Sequence, residues 1–364
     1  MDHEFPPVLS VIIPYYNGRR TIERTVDSVM SISHPKEILI IDDASSDGSF
    51  GELEHLYSDN PVIRLMSKPN GGIADTRNFG LQNAVGRYVF FSDQDDTAVA
   101  DVIDRAIDRA VNEDDDIVFW STEMTYETGR PNRPCDTVTS DLTIEGSSIR
   151  DGLLRQILTQ SSGEYGMRFA HLWMGLYRRE FLVSSGISFK RFISIDDDLL
   201  FIMDAASCAE RVAFIPQTGY LWLQNYASRS HTSQYTTDFL RKTTEHFDYY
   251  DTVMDRAGCS EETRTAVWGF TRQAVIADSL VNWSDMPHGD DRNSERTAIS
   301  IRMEEYAGKG VWDEYHMNAD TRRRRTYNLI RHHMYGAAFV YNSAVSRIRI
   351  IRHSLRLVYE RLRG

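Results

Sequence analysis

Tyr88-Val89-Phe90-Phe91-Ser92-Asp93-Gln94-Asp95-Asp96 decides the fold: four apolar, β-favouring residues run straight into a cluster of carboxylates. Carboxylates gathered at the end of a buried strand repel one another, so a folded chain needs a reason to hold them there. A divalent cation supplies one. Hard ions such as Mg²⁺ or Mn²⁺ take a few carboxylates and complete their shell with water and phosphate oxygens. A solvated acidic turn is spelled with the same letters, and the neighbouring segments separate the two readings.

Outward from that stretch, four more short apolar runs read as strands: Val8–Ile13, Ile38–Ile41, Val62–Met66 and Ile117–Trp120. Helical periods lie between them. Ile22, Val26, Val29 and Met30 share one helix face, as do Phe50, Leu53, Leu56 and Tyr57 after the second strand. Val102, Ile103, Ala106, Ile107 and Ala110 follow the fourth. Strands alternating with helices make βαβ units, hence an α/β fold with a mostly parallel sheet and helices on both faces. Ligands in such sheets sit beyond the carboxyl ends of the strands. Those ends are Pro14-Tyr15-Tyr16-Asn17-Gly18, Asp42-Asp43-Ala44-Ser45-Ser46-Asp47-Gly48, Asn70-Gly71-Gly72 and the acidic cluster. Residues 121–165 show no period and read as loop, and Glu113–Asp116 reads as a solvated turn. Pattern returns over 168–235, and from 236 onward the sequence is mostly helical.

A chain of 364 residues, 41% hydrophobic and 26% charged, suits one large soluble domain with an appendage, or two domains. Cys135, Cys208 and Cys259 are far apart with no C-x-x-C spacing. That argues against a disulfide framework or a zinc site and fits a reducing cytosol. The acidic, Pro-containing N-terminus carries no sign of a secretory signal. No apolar run approaches the ~20 residues of a bilayer span; Met334 to Val345 comes nearest and is broken by Asn342 and Ser343. A net charge of −12 does not suggest a nucleic-acid partner.

Together, Val11-Ile12-Ile13-Pro14-Tyr15-Tyr16-Asn17, Ile41 to Gly48, Asn70-Gly71-Gly72 with Arg77-Asn78-Phe79-Gly80, and Gly86-Arg87-Tyr88 running into Asp93-Gln94-Asp95-Asp96 resemble the family-2 glycosyltransferases of GT-A fold. These enzymes transfer sugars from nucleotide diphosphates with inversion. The resemblance implies a Rossmann-like GT-A catalytic domain over 1–235, with a donor half of about 7–120 and an acceptor half of about 121–235. A C-terminal α-helical extension, 236–364, follows and ends in a basic tail over 321–364.

Roles follow residue by residue. Tyr16, beside Pro14, lays an aromatic face against the nucleobase, and Asp43 accepts the N3–H of uracil. Gly71 and Gly72 let the backbone approach the ligand. Arg77 offers a fork of donors to the nucleotide or its phosphates, with a structural salt bridge as the competing reading. Asp95 touches the metal, Mn²⁺ or Mg²⁺, and Asp93 the ribose or the metal through water. An inverting transfer needs a base for the acceptor proton. The family's acidic pair falls at Asp197-Asp198 ahead of Leu199-Leu200-Phe201, which makes Asp198 the base. Three consecutive Asp, 196–198, leave the register open by one, and first-turn helix acids would spell the same letters. In Ser228-Arg229-Ser230-His231, Arg229 faces the diphosphate and His231 is a metal ligand or phosphate donor, or else an exposed loop residue.

The implied activity is metal-dependent, inverting transfer from a nucleotide-diphosphate sugar of the UDP series to a hydroxyl of a glycan or lipid-linked glycan. Its setting is surface-polysaccharide synthesis at the cytoplasmic face of the membrane. Two other classes share parts of the pattern. A nucleotidyltransferase would carry a Gly-rich, basic phosphate loop where Pro14–Gly18 stands; a non-catalytic nucleotide-sugar or membrane-surface module would keep the fold alone.

The tail carries its own signal. From Thr321 to Gly364 stand eleven Arg and one Glu, which leaves the first 320 residues at −22. Ile348, Ile351, Leu355, Val358 and Leu362 mark an apolar side, and Arg347, Arg349, Arg352, Arg356, Arg361 and Arg363 a basic one. Such a helix lies in an anionic headgroup layer, each basic residue adding ~1 kcal/mol; packing on the acidic body is the alternative. Salt-sensitive co-sedimentation with anionic liposomes is expected of the full chain and not of one ending near Asp320. Equal binding by both, or none by either, rejects the membrane role.

Overall fold

The computed structural model describes residues 7–127, 130–161, 165, 167, 169, 171–190, 197–224, 235–314 and 321–361, without the side chains of 197, 321 and 349–361. It divides into two units: Met1–Tyr226 with Arg256–Gly258, and Ala227–Asp255 with Cys259–Gly364.

The first unit is built on one sheet. Its strands are β1 (Leu9–Tyr15), β2 (Lys36–Asp42), β3 (Ile63–Ser67), β4 (Tyr88–Phe91), β5 (Thr97–Ala98), β6 (Ile117–Thr125), β7 (Arg133–Asp136), β8 (Leu142–Glu145), β9 (Gly175–Arg178) and β10 (Arg211–Leu223). They lie in the order β3-β2-β1-β4-β9-β6-β10-β5, with β7 added to β6 and β8 to β10. The helices between them are α1 (Ile22–Met30), α2 (Ser49–Tyr57), α3 (Ile73–Asn83), α4 (Ala100–Glu113), α5 (Leu154–Leu158), α6 (Arg179–Ser184) and α7 (Asp197–Cys208). β3, β2, β1 and β4 are mutually parallel, and so are β6 and β10. Between these blocks β9 runs antiparallel to both β4 and β6.

Periodicity explains the layers. Ile22, Val26 and Val29 of α1 are buried, as are Ile103, Ala106, Ile107 and Ala110 of α4. α2 departs from the expected apolar face: Leu53 is buried, while Leu56 is 55% exposed. The turn into β4 crosses β1 so closely that a Cβ on Gly86 would stand 2.5 Å from Ser10 N, so only glycine fits. Under the sheet's carboxyl ends lies an aromatic layer in which Phe90 meets Trp120 and Tyr220 edge-on.

Two expectations are corrected. Residues 121–165 are not all loop: β6 continues to Thr125, then come β7, β8, a π-helical turn (Ser148–Leu153) and α5. These pieces are too short and polar to leave a period. Nor is Glu113–Asp116 a solvated turn, because Asp115 and Asp116 are buried. Asp116 Oδ1 accepts Arg178 Nε at 3.1 Å, and its Oδ2 accepts the amides of Glu210 at 2.7 Å and Arg211 at 3.2 Å. Asp115 Oδ1 accepts Arg211 Nε at 2.9 Å. Asp116 thereby ties the starts of β6 and β10 to the end of β9.

The second unit is helical: α8 (Phe239–Ala257), α9 (Glu261–Asp285), α10 (Asp290–Gly308), α11 (Thr321–Arg331) and α12 (Tyr335–Arg361). Ser260 caps α9 by accepting the Thr263 amide. The first part of the basic tail belongs to this bundle. Tyr327, Ile330, Phe339 and Asn342 are buried, Arg322 Nε donates to Asn342 Oδ1 at 2.9 Å, and Arg323 pairs with Asp278 at 2.9 Å. A cut near Asp320 would therefore remove core as well as charge, and a cut beyond Ser346 is the cleaner membrane test. Among the described residues, no helix is long and apolar enough to cross a membrane.

Asp116→Ala should lower stability by about 3 kcal/mol, because it removes a buried carboxylate that accepts from Arg178 and from the amides of Glu210 and Arg211. The midpoint of chemical unfolding should fall accordingly, and an unchanged midpoint would contradict the tie.

Candidate active site

Three parallel strand ends and two helices assemble the rim. At the end of β1, Pro14 and Tyr16 are half-buried, and the Tyr16 backbone is gripped by Gln94. The Tyr16 amide donates to Gln94 Oε1 at 2.9 Å, and Gln94 Nε2 donates to Tyr16 O at 3.2 Å. Asn17, with φ 50°, receives the Ser46 amide on its Oδ1 at 2.9 Å and donates its own amide to Ser45 Oγ at 2.9 Å.

At the end of β2, Asp43 builds the next loop. Its carboxylate accepts the amides of Gly71 and Gly72, each at 2.8 Å, and Lys68 Nζ at 2.5 Å. Burial works against the charge, but Lys68 and the two amides outweigh it and hold the carboxyl below the usual range. Gly72 precedes α3 with φ 85°, a conformation that favours glycine. Asp43, Gly71 and Gly72, chosen separately from the sequence, thus form one hydrogen-bonded unit.

α3 then delivers Arg77, whose side chain is 3% exposed. Its fork, expected to face the nucleotide, is instead turned onto two carboxylates. Nη2 meets Asp93 Oδ1 at 3.0 Å, and Nη1 pairs closely with Asp198 Oδ1. Asp198, in the first turn of α7, uses its other oxygen to accept the Leu172 amide at 3.2 Å. Burial alone would weaken the guanidinium's charge, but Asp198 and Asp93 reverse this and raise its pKa. The salt-bridge alternative for Arg77 is the one this geometry contains.

The acidic cluster is pinned by backbone contacts. Arg24 Nη2 donates to Asp95 O at 2.6 Å, Thr25 Oγ1 to Asp96 O at 2.7 Å, and the Asp93 amide to Tyr220 Oη at 2.9 Å. Asp96 Oδ1 accepts the Leu223 amide at 2.7 Å, but its Oδ2 is buried without a hydrogen-bond partner among the described residues. Burial, then repulsion from Asp93, pushes Asp95 up to about 6, and burial with both neighbours pushes Asp96 well above the carboxylate range. Asp93 is raised by burial despite Arg77. An orphaned buried oxygen and carboxyls unfavourable as anions are a donor set suited to a hard divalent cation.

An aromatic wall stands beside these acids. His171 stacks on Trp173 at 4.6 Å, Trp173 stacks on Tyr220 at 4.7 Å, and Trp222 is tilted 5.3 Å from His171. Gln94, Lys68, His171 and the supporting role of Tyr220 escaped the sequence reading; of these, Gln94 alone stood inside a recognised motif. Arg229 and His231 lie outside the described residues, as does the side chain of Asp197.

The family model for Glycosyl transferase family 2 matches residues 10–184. The uncharacterized glycosyltransferase YibD of Escherichia coli (strain K12) is 32% identical over 188 residues, 50% of this chain and 51% of that protein. The cholesterol galactosyltransferase of Borreliella burgdorferi is 26% identical over 255 residues, 70% of this chain and 69% of its own. The chain thus spans about half the length of one relative and about two thirds of the other. Among solved structures, S. aureus TarS 1-349 in complex with UDP-GlcNAc matches with a TM-score of 0.63 at 18% identity, covering 93% of this chain and 91% of that one. At that identity the likeness is one of fold. Family match, curated relatives and GT-A architecture agree that residues 10–184 form a family-2 glycosyltransferase domain of GT-A type.

Proposed function

We propose that this protein transfers a sugar, with inversion, from a UDP-linked donor to a hydroxyl of a glycan or lipid-linked glycan used in surface polysaccharide, working at the cytoplasmic face of the membrane. The observation that carries this reading is Arg77 standing between Asp93 and Asp198. It brings the acid at the donor strand end and the acid of the acceptor segment to one rim, as a single displacement requires. The relative named for cholesterol galactosylation supports a lipid-borne hydroxyl among the acceptors.

In this reading Tyr16 covers the base and Asp43 with Gly71 and Gly72 shapes its edge. Asp198 takes the acceptor proton. Arg77 and the Leu172 amide orient its two oxygens, so Arg77 acts as a positioning residue. Asp95, with Asp93, would hold Mn²⁺ or Mg²⁺. Such an ion, when bound, neutralises the departing diphosphate as a Lewis acid. Release of nucleoside diphosphate from a panel of UDP-sugars, with and without metal, tests the activity; no release from any donor points to a binding module instead.

Asp95 ties metal binding to pH. Its folded pKa of about 6 lies above the unfolded value of about 3.9, so the unfolded chain gives up this proton first. Metal-free stability therefore falls as pH rises between the two values, and a cation removes that penalty. Saturating Mn²⁺ should raise Tm by roughly 5 °C at about pH 7.5 and by less than half of that at about pH 5. Asp95→Asn should stay folded, lose the shift and lose turnover. Equal shifts at the two pH values would remove Asp95 from the metal site.

Asp198→Asn should cut transfer by ~10² or more while leaving donor KM within about twofold. Asp197→Asn should be milder, and the reverse ranking moves the base to Asp197. If neither substitution slows the reaction, the base lies elsewhere.

A further inference from the structure

Cys135, Asp136 and His171 belong to none of the roles above, yet their ligand atoms all lie within 4.8 Å of one another. We infer that they form a second cation site, selective for a zinc-like ion over the hard ions suited to the strand-end acids. The argument begins with ligand type. Thiolate, imidazole and carboxylate together suit Zn²⁺, whereas Mg²⁺ and Mn²⁺ favour oxygen.

Distances agree with this. Ligand atoms around a tetrahedral zinc stand about 3.3–3.8 Å apart, given bonds of about 2.0–2.3 Å. Cys135 Sγ and Asp136 Oδ2 are 3.6 Å apart already, and the 4.8 Å limit leaves a closure of about 1 Å, within reach of side-chain rotation. The supports are in place. The Asp136 amide donates to Thr122 Oγ1 of β6 at 3.2 Å. The His171 ring lies parallel to Trp173, 4° from coplanar at 4.6 Å, which restricts its rotation. Three protein ligands leave a fourth position for water or an acceptor oxygen. Leu172, next to His171, donates its amide to Asp198, so a filled site would stiffen the turn that orients that carboxylate.

The inference does not depend on the glycosyl-transfer reading. Reduced, metal-free, full-length protein should be titrated with Co²⁺, whose thiolate bond produces a near-ultraviolet charge-transfer band and whose tetrahedral complexes absorb strongly in the visible. One equivalent of each signal is expected, displaced by Zn²⁺ and not by excess Mg²⁺. Cys135→Ser should abolish the charge-transfer band, and His171→Ala should weaken Co²⁺ binding at least ~10-fold. Asp95→Asn, Cys208→Ser and Cys259→Ser should retain the band, with circular dichroism confirming that every variant is folded. Absence of a thiolate band in the unsubstituted protein, or its survival in folded Cys135→Ser, would overturn the site.

Discussion

The buried guanidinium of Arg77, placed between Asp93 and Asp198, is the interaction on which the rest of the first unit depends. Its two partners lie 16 and 121 residues away along the chain. Removing three charges from water costs several kcal/mol each unless geometry and extra hydrogen bonds offset it. Here the offsets are specific: Leu172 donates to Asp198, Tyr220 receives the Asp93 amide, and the Phe189 ring lies 5.5 Å from the guanidinium. β4 and α7 cannot shift independently while this pair of bridges holds. A donor-side strand end and an acceptor-side helix are thereby held as one surface.

Charge does not balance around Arg77. Asp95 and Asp96 add two carboxyls beside Asp93, and burial raises all three. Fold stability alone would favour neutral residues here. The backbone nevertheless holds the acids in place through Arg24, Thr25 and Leu223. Strain maintained by surrounding structure is the usual mark of a binding site.

The opposite arrangement appears at the base of the sheet. Asp116 is as deeply buried as Asp96, but Arg178 and the amides of Glu210 and Arg211 answer both of its oxygens. At this pole Asp116 has both oxygens hydrogen-bonded, whereas at the other Asp96 keeps a buried oxygen without a hydrogen-bond partner among the described residues. The difference lies in the partners, since the residue type is the same.

Local order was legible in the sequence. The run Tyr88–Phe91, the helix faces of α1 and α4, and the polar residues closing β1, β2 and β4 follow from periods of two and 3.6 residues, and they carry the α/β architecture. Asp43, Gly71 and Gly72 stand at strand and helix ends, and the family resemblance singled them out there. Tertiary structure alone decided that β9 inserts antiparallel between β4 and β6, that Arg77 faces Asp93 and Asp198, and that Asp116 is core. It also decided that α11 is part of a helical bundle and that Cys135 meets His171. Each of these joins residues 16 or more positions apart. A periodic pattern records which face of an element is apolar; it holds no trace of which distant side chain will lie opposite, because that contact exists only after the chain has packed.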